Sequence, residues 1–92
     1  MTTEGNPGAR LQRALAAGNL PAAEQAAFEV AFVPLAHARA LVELYAEHGD
    51  PKYERAALRY LARYLTEGNP PLADVAQMAA LLAERALLIR GL

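Results

Sequence analysis

Ala14-Leu15-Ala16-Ala17-Gly18-Asn19-Leu20-Pro21 ends in a punctuation that the chain also uses at Gly5-Asn6-Pro7, Gly49-Asp50-Pro51 and Gly68-Asn69-Pro70-Pro71. Glycine adopts left-handed backbone just past a helix end, Asn or Asp accepts hydrogen bonds from the next helix's free N–H groups, and Pro fits the first helical turn. Each mark therefore reads as the stop of one helix and the start of the next. Between the marks, apolar residues recur at helical spacing, and no alternating Val/Ile/Thr stretch reads as a strand. The expected fold is all-α: a compact bundle of four to five antiparallel helices joined by tight Gly-Asn/Asp-Pro turns.

The expected helices run over Pro7 to Ala17, Leu20 to Phe32, Pro34 to His48, Pro51 to Glu67 and Pro70 to Arg90. Only the junction at Val33-Pro34 has no Gly or polar cap. Proline disfavours helical geometry at the residue before it, so a kink or tight break, not a loop, is expected there. The marks are spaced by 13, 31 and 19 residues, which argues against the constant period of a regular solenoid.

Ninety-two residues suit one helical domain over 1–92, with 1–6 as a flexible lead. A chain of this size buries only about 60–65% of the surface its unfolded form exposes. Residues are 54% hydrophobic but 7% aromatic, and much of the apolar share is alanine, which favours helix yet removes little area from water. The core should be thin, and a partner surface would help it.

A net charge of −1 lacks the long-range attraction to phosphates on which general nucleic-acid binders rely. Without Cys there is neither a disulfide nor a thiolate ligand. No apolar stretch approaches the ~18 residues of a membrane span, and the amino terminus lacks the basic-then-apolar pattern of a secretion signal. A cytoplasmic protein without membrane contact is the expectation. Ser is absent as well as Cys, and Thr2, Thr3, Thr66 and the tyrosines have no evident base, so no nucleophilic triad is expected. Each glycine is isolated, and no phosphate-cradling motif is present. No enzyme activity and no cofactor follow.

Two stretches resemble known sequences. The turns around Gly18-Asn19 and Gly49-Asp50 resemble the helical hairpins of tetratricopeptide repeats, although Ala56 and Ala57 follow Gly49 later than that family's small residue would. The segment Asp50-Pro51-Lys52-Tyr53-Glu54-Arg55-Ala56-Ala57-Leu58-Arg59-Tyr60-Leu61-Ala62-Arg63 is similar to a D-P-x-x-Y-E-R-A-A segment of uncharacterised small helical proteins of GC-rich bacteria, with one residue fewer between Pro51 and Tyr53. That resemblance covers about one helix and implies kinship and a helical fold, with no activity to carry over.

On the fourth helix, Tyr53, Ala57, Tyr60 and Tyr64 share one stripe, with Leu58, Leu61 and Leu65 beside it. Lys52, Arg55, Arg59 and Arg63 share the opposite face. That face is a candidate anion or nucleic-acid contact, although a solvated helix face pairing with acids such as Glu43 and Glu47 is the simpler account. On the third helix, Leu35, Ala38, Leu41, Val42 and Tyr45 lie on one side, and Arg39, Glu43 and Glu47 form an exposed charge ladder. His37 and His48 stand eleven residues apart, roughly 16 Å along a helix axis, which rules out one shared metal within that helix. No metal site is expected.

The second helix has only Glu24, Gln25 and Glu29 as polar residues, with Phe28 and Phe32 on one side and Ala23, Ala26, Val30 and Val33 roughly on the other. It either runs centrally between its neighbours or turns one side to another protein. On the fifth helix, Leu72, Val75, Met78, Ala79, Leu82, Ala86 and Ile89 form a core stripe, whereas Leu81 and Leu88 stand a heptad apart nearly opposite, followed by Leu92. Leu81, Leu88 and Leu92 are the candidate interface, against the alternatives of scattered surface leucines or cover by the first helix.

The leading expectation is a protein–protein interaction module without catalytic activity, a homo-oligomer or bound to a protein partner. One alternative is a nucleic-acid-associated regulator working through the fourth-helix cations, a partner that the slightly acidic chain disfavours. Another is a carrier of a small apolar ligand in a cavity lined by Phe28, Phe32 and the tyrosines.

Overall fold

The structure, a computed structural model, describes residues 6–91. Among these residues all regular structure is helical, in five helices: α1 (Pro7–Ala17), α2 (Leu20–Glu29), α3 (Leu35–Glu47), α4 (Tyr53–Glu67) and α5 (Leu72–Ile89). None is long and apolar enough to cross a membrane. The chain forms two units, one ending at Leu44 and the other beginning at Tyr45, so the division falls within α3.

In the first unit, α1 starts where Asn6 Oδ1 accepts the Gly8 N–H at 2.9 Å, with Pro7 in the first turn. The rest of the expected flexible lead, residues 1–5, lies outside the described residues. At the far end Gly18 takes φ +69°, its N–H donates to the Leu15 carbonyl at 3.1 Å, and the Asn19 N–H donates to the Ala14 carbonyl at 3.0 Å. Asn19 Oδ1 then accepts from the Ala22 N–H at 3.2 Å and opens α2. One dipeptide thereby satisfies free carbonyls of α1 and a free donor of α2.

The same pattern recurs in the second unit. Gly49, at φ +59°, donates to Ala46, and Asp50 N–H donates to Tyr45, each at 3.0 Å. Asp50 Oδ1 accepts from Lys52 N–H at 2.8 Å ahead of α4. The turn after α4 differs. Gly68 stays at φ −82°, and Asn69 takes the left-handed position at φ +47°. Gly68 is there for space, since a Cβ would stand 2.8 Å from the Tyr64 carbonyl oxygen.

At Gly18 nothing lies within 4 Å of where a Cβ would stand, so only the left-handed backbone opposes a side chain. Gly18→Ala should therefore cost about 1–2 kcal/mol, read as a lower urea midpoint with an unchanged slope.

Helix α2 departs from expectation. It ends at Glu29 rather than Phe32, and Val30 is already extended at φ −79°, ψ 131°. Val30 to Pro34 form a non-helical connection rather than a tight break, and the Pro34 carbonyl accepts the Ala38 N–H at 2.9 Å at the start of α3. Pro34 pushes Val33 out of helical geometry, and the branched side chains of Val30 and Val33 favour the same extended backbone. The break therefore spreads toward the amino-terminal side of the proline.

Helices α1 and α2 pack together, burying Leu11 and Ala14 of one and Leu20, Ala23 and Ala26 of the other. Three of the five are alanines, so the contact is close but thin. Arg10 pairs with Glu29, joining the first turn of α1 to the last residue of α2. In the second unit Tyr45, Tyr53, Ala56, Ala57, Tyr60 and Met78 are buried. The Tyr53 hydroxyl donates to the Leu82 carbonyl at 2.8 Å, tying α4 to α5, and the Tyr60 and Tyr64 rings stack with centroids 6.0 Å apart.

Glu29 and Glu67 are each held below the usual glutamate value of 4.5, first by the hydrogen bond from Arg10 and from Arg63 respectively. A carboxylate with a depressed folded pKa adds stability above its unfolded value and loses it as pH falls through the folded one. Melting temperature should fall on acidification below about pH 4.5, and the double variant E29Q/E67Q should show a shallower decline than the native chain.

Candidate functional site

Helix α5 combines length with little burial. Over its 18 residues only Met78 is buried. Its neighbours on the expected core stripe, Val75, Ala79, Leu82, Ala86 and Ile89, are half-buried. Leu81 is 51% exposed and Leu88 69%, two turns apart and about 20° from eclipsing each other around the axis. Leu92 lies outside the described residues.

Leu72, expected in the core stripe, is instead 83% exposed, and Leu87 is 50% exposed. Leu72 lies nearly opposite Leu81 and Leu88 around α5, and Leu87 about a third of a turn from them. Leu58 and Leu65 of α4, expected beside the buried stripe, also remain exposed. The covered sector of each helix is narrower than its apolar sector, because alanine-rich contact surfaces shield only the residues directly between the axes. Leu44 of α3 shows the reverse: it is buried, although it is not among Leu35, Ala38, Leu41, Val42 and Tyr45, the residues expected on the apolar side of that helix.

Between α4 and α5 runs an apolar groove of about 380 Å³, walled by Leu58, Leu61 and Leu87 and floored by Ala79 and Ala83. Its end is marked by an ion pair of Glu54 with Arg90 at 2.6 Å. Leu88 borders a second, more polar cleft with Glu47, His48 and Arg85. The short side chains at 79 and 83 in α5 signal the groove in the sequence, but a run of alanines alone does not reveal which side a neighbour leaves open.

The cationic face of α4 is only partly available. Lys52, Arg55 and Arg59 are exposed, and the Lys52 ammonium lies 5.9 Å from the centroid of the Tyr45 ring. Arg63 is half-buried, donates to Glu67 at 2.7 Å, and has its pKa raised chiefly by that hydrogen bond. Tyr53 and Tyr60 are buried, which removes them as stacking surfaces for bases. On α3, Arg39 pairs with Glu43 at 3.7 Å, the i, i+4 rung of the expected ladder.

Phe28 is 91% exposed and Phe32 is exposed as well, so neither ring encloses a ligand cavity. The buried side of α2 is the one through Leu20, Ala23 and Ala26. Among the described residues no three His, Asp or Glu side chains gather at metal-binding range; His37 is half-buried and His48 exposed.

No protein-family model matches the chain, and comparisons with curated proteins and with solved structures likewise found no match.

Proposed function

We propose that this chain is a small helical protein–protein interaction module of the cytoplasm, without catalytic activity, that associates with its own copies through α5. Helices α4 and α5 pack as an antiparallel pair and present the seam formed by Leu81 and Leu88; Leu92, expected with them, lies outside the described residues. The supporting observation is the exposure of Leu81 and Leu88 on a helix of which only Met78 is buried. Fully burying a leucine stabilises by about 1.5–3 kcal/mol, so leaving several in water forgoes several kcal/mol that a partner surface would recover. Two leucines one heptad apart also return to nearly the same face of the helix, so one partner surface can cover both.

Light scattering over a range of concentrations tests this reading. The native chain should exceed its 9.9 kDa monomer mass, and the double variant L81Q/L88Q should shift toward monomer with its helical circular dichroism intact. A nucleic-acid role for Lys52, Arg55, Arg59 and Arg63 has weaker support. The exposure of Arg55 and Arg59 favours it, while the engagement of Arg63 with Glu67 and the overall charge of −1 work against it.

A further inference from the structure

Phe28 and the α4–α5 groove are complementary features of one chain. Phe28 projects from α2 with 91% of its surface in water, by far the most exposed of the large aromatic residues. The groove offers about 380 Å³ walled by Leu58, Leu61 and Leu87. An apolar cavity of about 150 Å³ accommodates a benzene molecule, so this groove has room for a phenyl side chain and part of the backbone that carries it.

Charge points the same way. The only charged residues of α2 are acidic, Glu24 one turn before Phe28 and Glu29 just after it. The solvent face of α4 beside the Leu58 wall is basic, with Arg55 one turn before Leu58 and Arg59 next to it. Seating Phe28 against Leu58 would bring the acidic flank of α2 toward the side of α4 that carries Arg55 and Arg59, and it would cover apolar surface on both partners at once.

The geometry points to a heterologous contact between two copies of this chain, in which Phe28 of one copy inserts into the α4–α5 groove of another. This inference rests on the self-association reading above but uses a different surface from Leu81 and Leu88. Because knob and socket are different patches, each copy can donate one contact and accept one.

Complementation between two variants tests it. Phe28 and Ala83 are both exposed, so F28S removes the knob and A83R fills the socket without opening the core. Each variant alone should associate at least tenfold more weakly than the native chain by sedimentation equilibrium. An equimolar mixture should regain association as a one-to-one pair, since F28S keeps its groove and A83R keeps its phenyl ring. Raising the salt concentration should weaken that pair several-fold. If F28S or A83R alone associates as the native chain does, or if the mixture gives no pair, the inference is overturned. L81Q/L88Q measured alongside separates the two ideas: loss of association there with native behaviour in F28S supports the α5 seam and refutes the Phe28 contact.

Discussion

Tyr53→Ala should lower the stability of this chain by about 3–5 kcal/mol, the cost of removing a buried aromatic ring from a site that cannot collapse around the space. Tyr53 is 2% exposed, the largest of the fully buried side chains, and its hydroxyl reaches the Leu82 carbonyl at 2.8 Å. The ring is buried on α4 together with Ala56, Ala57 and Tyr60. For a domain whose total stability is about 5–15 kcal/mol, such a loss is a third or more, equivalent to a fall in Tm above about 10 °C. Tyr53→Phe separates the two contributions. It keeps the ring and removes one hydrogen bond, so its cost should be near 1 kcal/mol by urea denaturation. A Phe variant as damaging as the Ala variant would show that the hydroxyl, not the ring, organises α4 against α5.

Leu11→Ala is the corresponding change in the first unit. Leu11 is 0% exposed and, with Leu20, is one of only two large side chains in a contact otherwise built from Ala14, Ala23 and Ala26. Removing it leaves Leu20 as the one large side chain buried between α1 and α2, and the expected cost is about 2–5 kcal/mol. Leu11→Met conserves volume and should cost less than about 1.5 kcal/mol. Chemical denaturation with both variants checks the contrast. Equal losses would mean that the packing of α1 on α2 contributes by shape rather than by filled volume.

The turns were legible because their chemistry is local. Gly18-Asn19 closes α1 and caps α2 with groups adjacent in sequence, so the bounds of α1 follow directly, whereas at Gly49-Asp50 the Asp50 carboxylate meets the Lys52 N–H ahead of α4 and leaves that helix without a side-chain cap. The end of α2 was less legible, because several weak extended preferences from Val30 to Pro34 acted together where no single residue marks a stop. Gly68 shows the same limit in another form: the left-handed residue is Asn69, and the glycine is required by the approach of the Tyr64 carbonyl. Burial on α5 was least legible. A helix apolar over most of its circumference does not reveal which leucines its neighbours cover, so Leu72 reads like core from spacing yet lies in water. Leu81 and Leu88 stood out because they stand a heptad apart and nearly opposite the expected core stripe.

What remains exposed on α5 is the basis of the functional reading, and the molecular mass in solution is the quantity that reports on it. Sedimentation equilibrium of the native chain and of L81Q/L88Q, each over a hundredfold range of concentration, puts the claim to its most direct test. Self-association through α5 requires a native mass that rises above 9.9 kDa with concentration and a double variant held near the monomer mass. A native chain that stays at 9.9 kDa throughout would contradict it.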